Sequence, residues 1–161
     1  MDLSNHRQMS LICAAACIVS IFLPWLEGSA SASFGGYSSS YSSGGITGIQ
    51  FGGGILALVI AAVGGYFVYE NKPNPHYFGA VNVIIGIGHV MGWFGSLPGM
   101  NVSANYGGVS AKASLNPQYG LYLLILAAAA FTYFSFQLTK DNTTTDVEEE
   151  AEEVKSEPNQ A

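Results

Sequence analysis

Four long apolar runs divide the chain, and small or polar residues fill the gaps between them. The runs are Met9–Leu26, Phe51–Tyr69, Phe78–Leu97 and Tyr119–Leu138. Each is about 20 residues long, enough to cross roughly 30 Å of hydrocarbon at about 1.5 Å per residue. None contains Lys, Arg, Asp or Glu. Backbone polar groups in lipid must bond within their own segment, so runs of this kind predict helices. The pattern therefore predicts an all-α membrane protein with four transmembrane helices, a tetraspan domain over residues 1–140.

The gaps carry a second pattern. Between the first two runs lies "GSASASFGGYSSSYSSGG", Gly28–Gly45, and before the fourth lies "NVSANYGGVSAKAS", Asn101–Ser114. In each, small or apolar residues alternate with polar ones on both sides of a Gly-Gly pair. Two-residue hairpin turns need positive φ at both central positions, so Gly-Gly between alternating runs predicts a short β-hairpin. The two stretches also resemble each other. "SASFGG" at Ser31 and "SANYGG" at Ser103 lie 72 positions apart. Trp25 and Trp93 lie 68 apart, as do Phe51-Gly52 and Tyr119-Gly120. These offsets suggest a parallel 2+2 repeat, residues 9–69 and 78–138, related by an axis along the membrane normal.

A tetraspan bundle with small outer β-hairpins resembles the claudin-like layout. The resemblance lies in the order of elements. Of the claudin loop signature only Trp25 is present, and the Gly-Leu-Trp and paired cysteines are absent, so no junction or pore function carries over. The segments "FLPWLEG" (Phe22–Gly28) and "QYGLYLLILAAAA" (Gln118–Ala130) are also similar to small four-helix membrane proteins of prokaryotes, a likeness that implies no activity.

Charge refines the picture. Only 10% of residues are charged, against roughly 25% in soluble domains. Most acids follow Lys140, so the net charge of −6 belongs to a tail, residues 141–161. That tail lacks aromatic residues, which predicts disorder and leaves it as a solvated extension or a docking segment for a basic cytoplasmic partner. Arg7, Lys72 and Lys140 fall on one side of the expected membrane and only Lys112 on the other, which predicts cytoplasmic termini in a plasma membrane. Trp25 and Trp93 would then be interface anchors at the outer surface. Ala30-Ser31-Ala32 also fits a leader-cleavage pattern, although the apolar run before it is long for a leader.

Candidate chemistry is sparse. Gly79, Asn82, Gly86 and His89 share one face of the third run. Ionisable residues at membrane depth are functional candidates, but no acidic residue in the runs could partner His89. The stripe therefore reads first as helix packing and second as the lining of a small oligomeric channel or transporter. Gly53, Ala57, Ala61 and Gly65 form a small-residue packing ridge that lets another helix, or another subunit, approach closely. Cys13 and Cys17 read as packing residues, with acylation or metal ligation at Cys13 as the alternative. The sequence holds no nucleotide loop, metal cluster, nucleophile–base pair or basic nucleic-acid patch. It predicts no enzyme and no cofactor. The expected role is a structural or accessory subunit of a membrane or envelope assembly, in contact with lipid and with another membrane protein or itself.

Overall fold

The computed structural model describes residues 3–93 and 101–156, with side chains over 4–93 and 102–140. Among the described residues it is a mixed α/β structure: four helices carry one five-stranded antiparallel sheet. The first helix, α1 (Leu3–Phe22), leads into β1 (Pro24–Phe34), β2 (Tyr37–Ser42) and the short β3 (Ile46–Thr47). A 3-10 turn at Gly48–Gln50 introduces α2 (Gly52–Tyr69), and a tight loop leads to α3 (His76–Val90). Strands β4 (Asn101–Tyr106) and β5 (Val109–Pro117) precede α4 (Tyr119–Ser156). In the bundle, α1 and α3 each pack against both α2 and α4.

The all-α expectation is corrected by the sheet, and the four-span expectation by the helices. Among the described residues only α2 and the Tyr119–Lys140 part of α4 are long and apolar enough to cross a membrane. In α1 the apolar stretch is preceded by Asn5, His6, Arg7 and Gln8, and Pro24 ends it early. Proline disfavours helical geometry at the residue before it, so Trp25 and Leu26, expected to be helical, open β1 instead. Helix α3 has 15 residues, about 22 Å at 1.5 Å per residue. It stops in a glycine cap. Gly92 has φ +77, its N–H donates to His89 O (3.2 Å), and Trp93 N–H donates to Gly88 O (2.8 Å). That bond pair is the Schellman arrangement. The last residues of the predicted third run, 94–97, lie outside the described residues.

Both hairpins turn at their Gly-Gly pairs. Gly35 and Gly36 have φ +57 and +86, and Gly107 and Gly108 have +58 and +79. Positive φ at both central residues matches the right-handed twist of the flanking strands. The hairpins then join through their inner strands, giving the order β2-β1-β5-β4. This order gives the expected repeat no support in the sheet. Equivalent halves would place β1 and β4, or β2 and β5, at corresponding positions across the junction. Here the first strand of one hairpin meets the second strand of the other, in register from Leu26↔Pro117 to Phe34↔Val109.

The disordered tail is corrected as well. Helix α4 continues to Ser156, and residues 157–161 lie outside the described residues. The segment is rich in Glu, with Ala and Lys, all good helix formers. It extends a helix that already exists, so it avoids the unfavourable nucleation step.

A Cβ on Gly36 would meet nothing within 4 Å, so any cost of substitution there is conformational. Replacement by Val is expected to destabilise the hairpin by about 1–2 kcal/mol, the cost of a left-handed residue with a Cβ, whereas Asn is tolerated. Thermal unfolding and protease nicking near residue 36 check this, and equal behaviour of the two variants would contradict the turn assignment.

Candidate functional site

The polar stripe of α3 faces the inside of the bundle. Gly79 abuts Thr132 and Phe131 of α4, and Gly86 abuts Ile125. A side chain at either position would collide with α4, so these glycines set how closely the two helices approach. Asn82 lies between them, 1% exposed. Its Oδ1 meets no donor. It lines a gap with Ala14, Cys17, Ala61 and Phe131 that is too narrow for a water molecule. The stripe is packed rather than wet, and it faces neighbouring helices of its own chain.

His89, 2% exposed, belongs to an aromatic cluster where bundle and sheet meet. Its Nδ1–H donates to Ile85 O at 2.9 Å. Its ring sits edge-on to Trp25 (5.2 Å between centroids) and to Phe51 (6.0 Å). Gly53 lies directly against the imidazole, and Gly48 against the indole. The ridge of α2 is interior at its centre, where Ala57 and Ala61 are buried, and half-buried at its ends, where Gly53 lies against His89 and Gly65 against Ala14 of α1.

The two tryptophans part company. Trp25 is fully buried, and its Nε1–H donates to Ser20 O at 2.9 Å. It is a core residue, and this corrects its expected place at the interface. Trp93 is 63% exposed at the sheet end of α3, as an anchor would be. Sequence reasoning separated them poorly because Trp25 is polar only at its nitrogen, and that atom is satisfied by the end of its own helix.

The outside of the bundle is apolar. Ile12, Val19 and Phe22 of α1, Ile55, Val59 and Val63 of α2, Val81 and Ile84 of α3, and Leu126 and Phe136 of α4 are all exposed. Meanwhile Ser10, Ser20, Asn82, His89 and Ser135 are buried. Ser135 Oγ–H donates to Phe131 O (2.6 Å) and Ser10 Oγ–H to His6 O (2.8 Å), so these hydroxyls are satisfied by their own helices. Exposed Tyr66, Tyr69 and Tyr77 mark one end of the bundle, and Tyr119, Tyr122 and Trp93 the other. At the first end the Arg7 guanidinium donates to Tyr69 O, and Lys72 Nζ lies 4.4 Å from the Tyr66 ring centroid.

The sheet supplies the feature that sequence reasoning missed. Strand register arranges its residues in rows. One face carries Tyr41, Ala30, Ala113 and Val102 in one row, Ser39, Ala32, Ala111 and Ala104 in the next, and Tyr37, Phe34, Val109 and Tyr106 at the tip. The opposite face carries Ser42, Ser29 and Ser114, then Ser40, Ser31, Lys112 and Ser103, then Ser38, Ser33, Ser110 and Asn105. Successive strand residues point to opposite faces, so the "SASAS" alternation sorts alanine from serine. All twelve residues of the apolar face are exposed. Glu27, on the serine side, anchors the sheet base: it accepts from Gln118 Nε2 (2.9 Å) and Ser42 Oγ (3.2 Å). Among the described residues no group of three His, Cys, Asp or Glu is placed to hold a metal. Cys13 and Cys17 are free thiols.

Two substitutions test the packing reading of the stripe. Gly53→Ala drives a methyl into His89 and is expected to cost about 1–3 kcal/mol, as overpacking does. Asn82→Leu removes an unpartnered buried carbonyl and is expected to be neutral or to stabilise by up to about 1 kcal/mol. Unfolding in detergent measures both, and a severe loss from Asn82→Leu would show that Asn82 does more than pack.

Comparison with known proteins gives no relative: no family model, no curated protein and no solved structure matches this chain.

Proposed function

We propose that this chain is a multi-pass protein of a plasma membrane, without enzymatic activity, that serves as a structural or accessory subunit of a membrane or envelope assembly. The observation that carries the reading is the inverted distribution of the bundle: aliphatic side chains outside, Asn, His and Ser inside. A bundle in water does the reverse, with an apolar stripe inward and charges outward. Lipid tails solvate the exposed Val, Ile and Leu, and close glycine contacts and buried hydroxyls then hold the helices together. Helices α2 and α4 supply the length to cross, and aromatic residues at both ends suit the two interfaces.

Orientation follows from the cations. Arg7 and Lys72 lie at the bundle end away from the sheet, and Lys140 lies one turn beyond Phe136, whose ring meets His76 edge-on at 5.5 Å between centroids. Positive residues favour the cytoplasmic side, so the sheet projects outward and the acidic end of α4 extends into the cytoplasm, where a basic partner suits it. A subunit of this kind acts through the surface it presents, and the sheet is one such surface.

Alkaline carbonate washing is expected to leave the protein in the membrane pellet. In a chain with Cys13 and Cys17 replaced by Ala, cysteines at Ser38 and Ser110 should react with an impermeant maleimide in intact cells, while one at Asn74 should react only after lysis. Release by carbonate, or the opposite labelling, would overturn the reading.

A further inference from the structure

The serine face of the sheet holds a hollow of about 580 Å³. It crosses all four strands: Ser40 and Ser42 of β2, Ser29 and Ser31 of β1, Lys112 of β5 and Ser103 of β4 line it, and their strand neighbours complete the lining. Its volume falls within the roughly 300–1,000 Å³ of ligand sites. We propose that this hollow binds a segment of an acidic glycan, a hydroxyl-rich polymer bearing carboxylates. Lys112 holds a carboxylate and the serines hold sugar hydroxyls. The inference rests on the membrane reading above, which turns the sheet outward, toward the glycans of an envelope.

The first support is the place of Lys112. A lysine that guards a sheet against edge-to-edge pairing belongs on an edge strand. The edge strands β2 and β4 carry no charged residue. Lys112 lies instead on the inner strand β5, in register with Ser31 on one side and Ser103 on the other. Its ammonium makes no hydrogen bond or ion pair with any described residue. Glu27, the acid on the same side of the sheet, is already occupied: Oε1 accepts from Ser42 and Oε2 from Gln118. Lys112 thus brings an unneutralised positive charge to a hydroxyl-lined hollow, and that charge attracts an anion.

The second support is the state of the hydroxyls. Ser29 and Ser114 bond to each other at 2.7 Å, and Ser42 is spent on Glu27. Ser31, Ser40 and Ser103 share the row of Lys112 and make no hydrogen bond with any described residue. A hydroxyl both donates and accepts, and an ammonium donates three bonds. The row therefore offers both kinds of partner side by side, as a chain of sugar hydroxyls with carboxylates among them requires.

The same composition disfavours other occupants. The core of a protein interface is enriched in aromatic residues, and the exposed rings of the hairpins, Phe34, Tyr37, Tyr41 and Tyr106, stand on the other face. Nucleic acid binding draws on several phosphate contacts, and an anionic bilayer surface on a basic cluster. This face has one cation. With no ring to stack on a sugar, each site is weak, and firm attachment comes from one polymer meeting many copies in the same membrane.

The test uses the full chain reconstituted at high density in neutral phosphatidylcholine vesicles, with capture of polygalacturonate read by flotation. Capture is expected, and it should weaken as salt rises, because exposed charges are screened. Lys112→Gln should raise the half-saturating polymer concentration about fivefold, the upper range for an exposed ion pair, whereas Lys112→Arg should keep it. Ser31→Ala combined with Ser40→Ala should raise it several-fold with the charge intact. Ala104→Ser, on the other face, should leave it unchanged. Two further probes separate the parts of the site: dextran has hydroxyls without charge, and polyglutamate has carboxylates without hydroxyls. Each should need a several-fold higher concentration than polygalacturonate. Equal capture of polyglutamate would overturn the proposal in favour of a bare charge, and equal capture of dextran would remove Lys112 from the site. No capture of polygalacturonate would overturn it outright. Labelling of a thiol introduced by Ser31→Cys, in a chain with Cys13 and Cys17 replaced by Ala, then tells a face covered by protein, where the thiol is shielded in intact cells, from one that is only wet. The carbonate wash on native membranes separates the failures. A protein that stays in the pellet but captures no glycan refutes the glycan site alone, and a released protein refutes the membrane reading.

Discussion

The Trp25 indole holds the two halves of this architecture together. It is the second residue of β1, yet it lies wholly inside the protein. Its nitrogen donates to Ser20 O at the end of α1, and its own carbonyl accepts from Gln118 N–H (2.7 Å) just before α4. Gly48 lies against its ring, and Phe51 stacks with it at 6.4 Å and 14°. His89 closes the cluster from α3. Thus all four helices reach the point where the sheet begins, and the sheet is aimed by that point. Large aromatic side chains contribute heavily to burial, and their edge-on contacts add to it. Gly48 and Gly53 exist in this account because the rings of Trp25 and His89 need the space.

Much of the local structure was legible because it rests on local rules. The two Gly-Gly pairs specified their turns, and the alternation around them specified strands. Helices α2 and α4 were legible by length and apolarity alone. Where expectation failed, the deciding residue was also local but was outweighed by the apolar run around it. Pro24 converts Trp25 and Leu26 to strand, and Gly92 stops α3, although both lie inside stretches that read as continuous helix. The long α4 was obscured by composition, since an acidic tail reads as disordered until it continues a helix already formed.

The sheet's order and the two-faced arrangement of its side chains were beyond single-sequence reading. Alternation within "SASAS" was visible, but which strand lies beside β1 depends on contacts across about 85 residues, such as the Ser29–Ser114 hydroxyl pair at 2.7 Å. Only that register aligns Ala30 with Ala113 and gathers the alanines on one side. The stripe of α3 shows the reverse case. Its residues were legible, but their surroundings were not: Gly79 and Gly86 lie against α4 of the same chain, and that contact depends on how the helices pack.

In the membrane reading, lipid solvates the outside of the bundle. Nitroxide labels at Val59, Ile84 and Leu126, one at a time in the reconstituted full chain, test it directly through their collision rates with dissolved oxygen and with a water-soluble nickel chelate. Oxygen concentrates in hydrocarbon and the chelate in water. Oxygen is expected to dominate at all three positions. Dominance of the nickel chelate at these positions would show a bundle in water and contradict the claim.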